Sequence, residues 1–180
     1  LNVDSLSVEG SASPEAEQLS LEHIIRVRER ALAALNEVAA MASMSLDVDQ
    51  VLNRALDLAL QTVGVEAGAI SVLDQSTGDL VFKVQRGWRV HNFVAQRVHL
   101  PADDGLSGLA MVTGQPVVTG DVSNDPRVAV PEFRDEGVQA MALAPMRARG
   151  QAVGVLGVMS YTSHEFSTEE VTVISAIADQ

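Results

Sequence analysis

The 180 residues include no cysteine. That absence excludes disulfide frameworks, thiolate zinc sites, thiol redox chemistry and thioether-linked cofactors. Aromatic side chains are scarce too, 3% of the chain with a single tryptophan and a single tyrosine, too few for the stacking platforms that hold single-stranded nucleic acid. Basic residues are half as many as acidic ones, 12 against 24, and the net charge of -12 repels phosphate backbones and anionic lipid head groups. Neither nucleic-acid binding nor membrane contact is therefore expected of this stretch of chain. Long apolar runs are also missing. The longest, Ala152 to Met159, is broken by Gly154 and Gly157 and falls far short of the roughly 20 residues of a membrane span. With no signal-peptide pattern either, the expected location is cytoplasmic.

What is present is a hydrophobic fraction of 47%, enough for one sizeable core in a domain of this length. The acidity is unevenly placed. Residues 1–20 and 161–180 each carry four acidic residues and no lysine or arginine, so the middle of the chain is close to balance. The excess charge thus says little about a central binding site. The sequence starts at Leu1 and stops at Gln180 inside a helical pattern, which reads as a piece of a longer protein.

Residues 1–20, rich in serine with Gly10 and Pro14, read as a disordered tail or linker. Leu21, Ile25, Leu32, Leu35, Ala39, Ala42 and Leu46 then fall at steps of three and four, with Arg28 the one polar interruption. That is a heptad seam over residues 21–46. It suits a helix packing on its own domain or pairing with its twin, and the second reading predicts a homodimer. Residues 47–180 form the remaining unit. In it Val48, Val51, Leu52, Ala55, Leu56, Ala59 and Val63 make one wide apolar helix face.

Strands follow at Ala69–Leu73 and Leu80–Val84 about a Gln75–Asp79 turn, with Leu80, Phe82 and Val84 alternating on one face. Gly87–Leu100 is less regular. A short helix spans Leu106–Thr113, a strand Pro116–Thr119, and Gly120–Gly137 is a long loop with at most one helical turn. Two apolar strands, Ala140–Met146 and Ala152–Met159, form a second hairpin. Ser167 and Glu170 make a capping box that opens the last helix. The fold class predicted is α+β. It has a central antiparallel sheet of about five or six strands, terminal helices packed together on one face, and short helices and loops over a cavity on the other.

That order of elements, carried by Asp49–Asp74, Asp104–Arg127, Ala140–Ser160 and Phe166–Gln180, resembles the GAF domains, small-molecule-binding and signalling modules of the PAS-like superfamily. The resemblance covers about residues 32–180. It implies a non-catalytic sensory module of a larger bacterial-type signalling protein, a sensor histidine kinase being the commonest setting. Such a module would bind a small molecule reversibly and signal through paired helices to an output domain beyond Gln180. It places Phe82, Trp88, Phe93, Leu106, Phe133, Met141 and Leu143 near the cavity, where they either sandwich a planar ligand or fill the space as core. A structural dimerisation module without ligand is the alternative of another class. A haem-based gas or redox sensor is a third reading, with His91 or His99 as the axial ligand or, more ordinarily, as loop histidines.

Several chemistries of the family fall away. Covalent bilin attachment in most versions, and free methionine sulfoxide reduction, need cysteines. The cofactor is thus unknown and none is covalently attached. Asn124, Phe133, Asp135 and Glu136 are similar to parts of the cyclic-nucleotide motif, but Asp125 stands where a lysine is expected and the Phe-to-Asp-Glu spacing is short. Gly105–Gly108 opens a helix whose N–H groups could hold an anion, yet Asp103 and Asp104 beside it read as caps. No histidine pair has metal-ligand spacing, and no nucleophile elbow appears, so no catalytic residue is assigned.

Overall fold

The chain is described by a computed structural model over residues 25, 26, 28–33, 48–96 and 98–180. The expected tail 1–20 lies outside these residues, as do Leu21, Leu35, Ala39, Ala42 and Leu46 of the seam. Residues 25, 26 and 28–33 are helical. Apolar residues at three- and four-residue steps build the next helix, α1 (Val48–Val63), which buries Leu52, Ala55, Leu56, Leu58 and Ala59. After it come β1 (Ala67–Leu73), β2 (Asp79–Arg86), α2 (Phe93–Gln96), β3 (His99–Pro101), α3 (Gly105–Thr113), β4 (Val117–Thr119), α4 (Glu132–Asp135), β5 (Ala140–Ala148), β6 (Gln151–Ser160) and α5 (Thr168–Ala178).

The six strands make one sheet in the order β3-β2-β1-β6-β5-β4, each neighbouring pair antiparallel. Successive residues of a strand point to opposite faces, and the sheet divides the core accordingly. On one face α1 and α5 pack together over Ile70, Val84, Ala142, Ala144, Leu156 and Val158. On the other, Leu80, Phe82, Met141, Leu143, Val155 and Met159 meet α2, α3, α4 and their loops. The α+β architecture with helices on one face and short helices on the other is the expected one. α5 starts on the expected capping box: Ser167 Oγ accepts from Glu170 N at 3.2 Å, and Glu170 Oε2 accepts from Ser167 N at 2.7 Å.

The long loop Gly120–Gly137 holds its helical turn as α4, and two expectations are corrected. The Gly87–Leu100 stretch contains a short helix and the edge strand β3, whose three residues pair with Asp79, Leu80 and Val81. And Leu80, Phe82 and Val84 do not share a face. Val84 pairs with Ile70 and Phe82 with Ser71, so Lys83 is an extra residue with no partner on β1. This β-bulge turns Val84 to the α1–α5 side while Phe82 stays on the other.

Candidate functional site

The cavity face is dominated by aromatic packing. Phe82 and Phe93 lie with ring centroids 4.9 Å apart, Trp88 and Phe93 4.8 Å, and Trp88 and Phe133 5.6 Å. These are contact distances for tilted and edge-to-face rings. Trp88 also donates its indole N–H to Gly68 O at 3.0 Å. Leu106, Phe133, Met141 and Leu143 line an adjoining cleft beneath α3, with Leu100 and Val128 on its other walls. Its volume is about 30 Å³, room for a water or two rather than the several hundred Å³ of a ligand pocket. All seven residues expected around the cavity thus converge on one region, three in the aromatic cluster and three in the cleft, with Phe133 in both. In this conformation their side chains close it. A wider groove of about 610 Å³ lies on the opposite face between Pro116, Arg147 and α5, where none of the seven contributes.

Residues 87–96 carry Trp88 and Phe93 of the cluster and cover Phe82 and Phe133 with them, and side chains outside the segment hold its backbone. Glu136, the residue after α4, is 3% exposed. Its Oε2 accepts from Arg89 N at 2.8 Å, and its Oε1 accepts from Val90 N at 2.9 Å and from His91 N. Three successive backbone N–H groups around one carboxylate form an anion-binding nest, here filled by the protein itself. The Tyr161 hydroxyl donates to Gly87 O at 2.9 Å and approaches Glu136 Oε2 at 3.3 Å. The Arg89 guanidinium lies 3.6 Å from the centre of the Tyr161 ring. Burial pushes the Glu136 carboxyl up, but the N–H groups of His91, Arg89 and Val90 and the Tyr161 hydroxyl outweigh it and hold it below the ordinary glutamate range. Tyr161 is pushed up to about 12, by burial first and then by the Glu136 charge.

Gln85 fastens the other end. Its Nε2 donates to His91 O and its Oε1 accepts from Val94 N, both at 3.0 Å. Neither Gln85 nor Tyr161 is singled out by any motif, and Glu136 is legible only as part of an incomplete one. No spacing could have found them, because each acts on backbone groups, which carry no side-chain signature: Glu136 and Tyr161 on groups 45 to 74 residues away, Gln85 on groups 6 and 9 residues away.

The other candidates separate. His99 sits on β3, half exposed, with Nδ1 3.5 Å from Asp79. The His91 ring packs 5.8 Å from Phe93, and its buried Nε2 has no hydrogen-bond partner among the described residues. A cleft of about 30 Å³ has no room for a macrocycle unless the cluster parts. Asp104 caps α3, accepting from Gly105 N at 2.8 Å, so the helix start is occupied by its own carboxylate. Asp125 is bound by Arg127 (2.7 Å), and Asn124 by Asp121 (2.8 Å). Both are therefore engaged within the loop. On the N-terminal helical segment Ile25 and Leu32 are 47% and 62% exposed, whereas Ala31 is buried in the α1–α5 core. Among the described residues no helix is long and apolar enough to cross a membrane.

Comparison with known proteins places these features. Residues 45–180 match the family described as GAF domain. The Nif-specific regulatory protein of Azospirillum lipoferum is 26% identical over 129 residues, covering 69% of this chain but 20% of the relative. The chain thus spans about a fifth of the length of the curated relatives it matches. Among solved structures, the GAF domain of a phosphoenolpyruvate-protein phosphotransferase from Coxiella burnetii superposes with a TM-score of 0.71 at 19% identity, over 84% of this chain and 89% of that one. A domain assigned to a two-component sensor histidine kinase protein from Sinorhizobium meliloti superposes with a TM-score of 0.58 at 20% identity, over 74% and 87%. At these identities the structural likeness is one of fold.

Proposed function

This chain belongs to the GAF domain family, whose members are sensory and regulatory modules of signalling proteins, and on that premise we propose that it is a non-catalytic sensor that binds a small molecule reversibly beneath residues 87–96. The observation that carries this reading is the construction of the cover. Its backbone groups are held by Glu136, Gln85 and Tyr161 rather than by a strand ladder, so the segment can carry Trp88 and Phe93 away from Phe82 and Phe133 without breaking the sheet. The ligand suited to the cluster is small and largely apolar or planar, stacking among Phe82, Trp88, Phe93 and Phe133. Output would pass through helices paired in a homodimer. The likeness to a Nif-specific regulatory protein favours a regulatory protein as the parent over a sensor histidine kinase, and both settings suit a cytoplasmic module.

A thermal-shift screen with metabolites and nucleotides, backed by native mass spectrometry of the purified chain, tests the reading. A bound small molecule, or a stabilisation abolished by Phe133→Ala or Met141→Ala, is the expected result. A chain that purifies empty and responds to no compound at millimolar concentration is instead the structural dimerisation module. The haem alternative has its own signature, a Soret band lost in His91→Ala, the histidine whose ring faces the cluster.

A further inference from the structure

The closed cleft and the cover share one mechanical element. Phe133 lies on α4, packs against Trp88 and lines the cleft. Glu136 follows three residues later, at the end of the same turn of helix. Whatever widens the cleft by pushing on Phe133 must therefore move the carboxylate that holds residues 89–91. The geometry of the carboxylate makes that hold divisible from the rest of the fold. Its three N–H donors are consecutive, and all belong to the segment that covers the cluster. Beyond Glu136 and Tyr161, Gln85 fastens that segment through His91 and Val94, and Gly68 O on β1 accepts the Trp88 indole N–H. On the far side Gln85 is followed by Arg86, which donates to Asn53 Oδ1 at 2.6 Å and Asp57 Oδ1 at 3.0 Å on α1.

We propose that Glu136 is the latch of a lid formed by residues 87–96, and that displacement of α4 by a cavity ligand withdraws the latch, frees the lid and loosens its link through Gln85 and Arg86 to α1. This rests on the reading of the cavity as the binding site, but the latch itself is testable without any ligand. An ordinary structural anchor would behave differently. Its loss would lower the stability of the whole domain, and lid and sheet would open together. Loss of a latch opens the lid first, in the manner of a local opening below global unfolding.

The test is Glu136→Gln, which keeps the shape of the side chain but places an NH₂ donor against N–H or O–H donors. Amide hydrogen exchange and the fluorescence of Trp88, the one tryptophan of the chain, are measured together. Expected are amides 89–91 and 94 exchanging about tenfold faster or more, given the several hydrogen bonds disturbed. β6 amides should keep their wild-type rates, and Trp88 should become more accessible to acrylamide. Lid amides with unchanged rates, or rates that rise in step with β6, overturn the latch. Should the variant not fold, wild-type exchange in sub-denaturing urea decides. The latch requires amides 89–91 to open at lower free energy than those of β6, and merging of the two sets overturns it. A lid that opens in Glu136→Gln while the metabolite screen stays empty would refute the ligand reading and leave the latch standing. A ligand that binds without changing lid exchange would do the reverse.

Discussion

Gln85 and Arg86 are neighbours in β2 that grip opposite sides of the sheet. Gln85 holds the lid through His91 and Val94, and Arg86 holds α1 through Asn53 and Asp57. The alternation of a strand makes this inevitable once the bulge at Lys83 has set the register. Two adjacent side chains thereby tie the cover of the cavity to a helix of the opposite face.

Replacing Arg86 by methionine keeps the aliphatic stem and removes the bonds to α1. Because both partners of the Arg86–Asp57 pair are about a third exposed, at 39% and 36%, the stability loss in urea should be about 1 kcal/mol or less. The coupling should suffer more than the stability. In the wild-type background Glu136→Gln is expected to speed amide exchange in α1 around Asn53 and Asp57, and in the Arg86→Met background that remote effect should disappear. Persistence of the effect would mean that the two faces communicate by another route.

Gly87 begins the lid at φ +70, and a Cβ there would lie 2.0 Å from Glu66 O. Gly87→Ala should therefore cost about 3 kcal/mol or more, since backbone as well as side chain must move. Gly78 provides the control. It has φ +80 but open space around it, so Gly78→Ala should cost about 1 kcal/mol from the left-handed conformation alone. Equal losses in chemical denaturation would refute the steric argument at Gly87.

The buried pair Glu136–Tyr161 gives the stability profile two limbs. With its folded pKa lowered, Glu136 contributes stability that is present above the ordinary glutamate range and lost as pH falls through the folded value. Tyr161 is raised from 10.0 to about 12, so its contribution is complete below pH 10 and is lost as pH rises towards 12. Glu136→Gln should flatten the acid limb and Tyr161→Phe the alkaline one, as read from denaturation midpoints against pH. A full acid limb in Glu136→Gln would assign it to other carboxylates.

Ala31 and Leu32 separate packing on the domain from pairing with a second copy. Ala31 is 8% exposed and belongs to the α1–α5 core, whereas Leu32 is 62% exposed, seven residues from Ile25 at 47%. Leu32→Glu should turn a dimer into a monomer in sedimentation while changing the unfolding free energy of the dissociated chain by about 0.5 kcal/mol or less. Ala31→Glu should destabilise the chain itself by about 2 kcal/mol or more, through burial of a charge. A wild-type chain that sediments as a monomer at high concentration removes the dimer.

Much of this protein is determined locally. The apolar spacing of α1, the Ser167–Glu170 box, the two hairpins and the aspartate cap of α3 rest on contacts between residues a few positions apart, which is why a single sequence displays them. Their order identifies the family. The aromatic residues of the cavity were legible as a group for the same reason that they cluster: few exist, and an apolar ring has few places to go.

Which face each strand residue meets was decided only by the tertiary structure, because the bulge at Lys83 depends on how β2 pairs with β1 and leaves no trace in the alternation of Leu80, Phe82 and Val84. The same is true of Glu136. A glutamate in an acidic chain reads as solvated surface, and only the return of the chain after α4 brings it within reach of three backbone N–H groups 45 to 47 residues earlier. Backbone donors carry no side-chain signature, so a site built from them becomes visible when the fold closes, and not before.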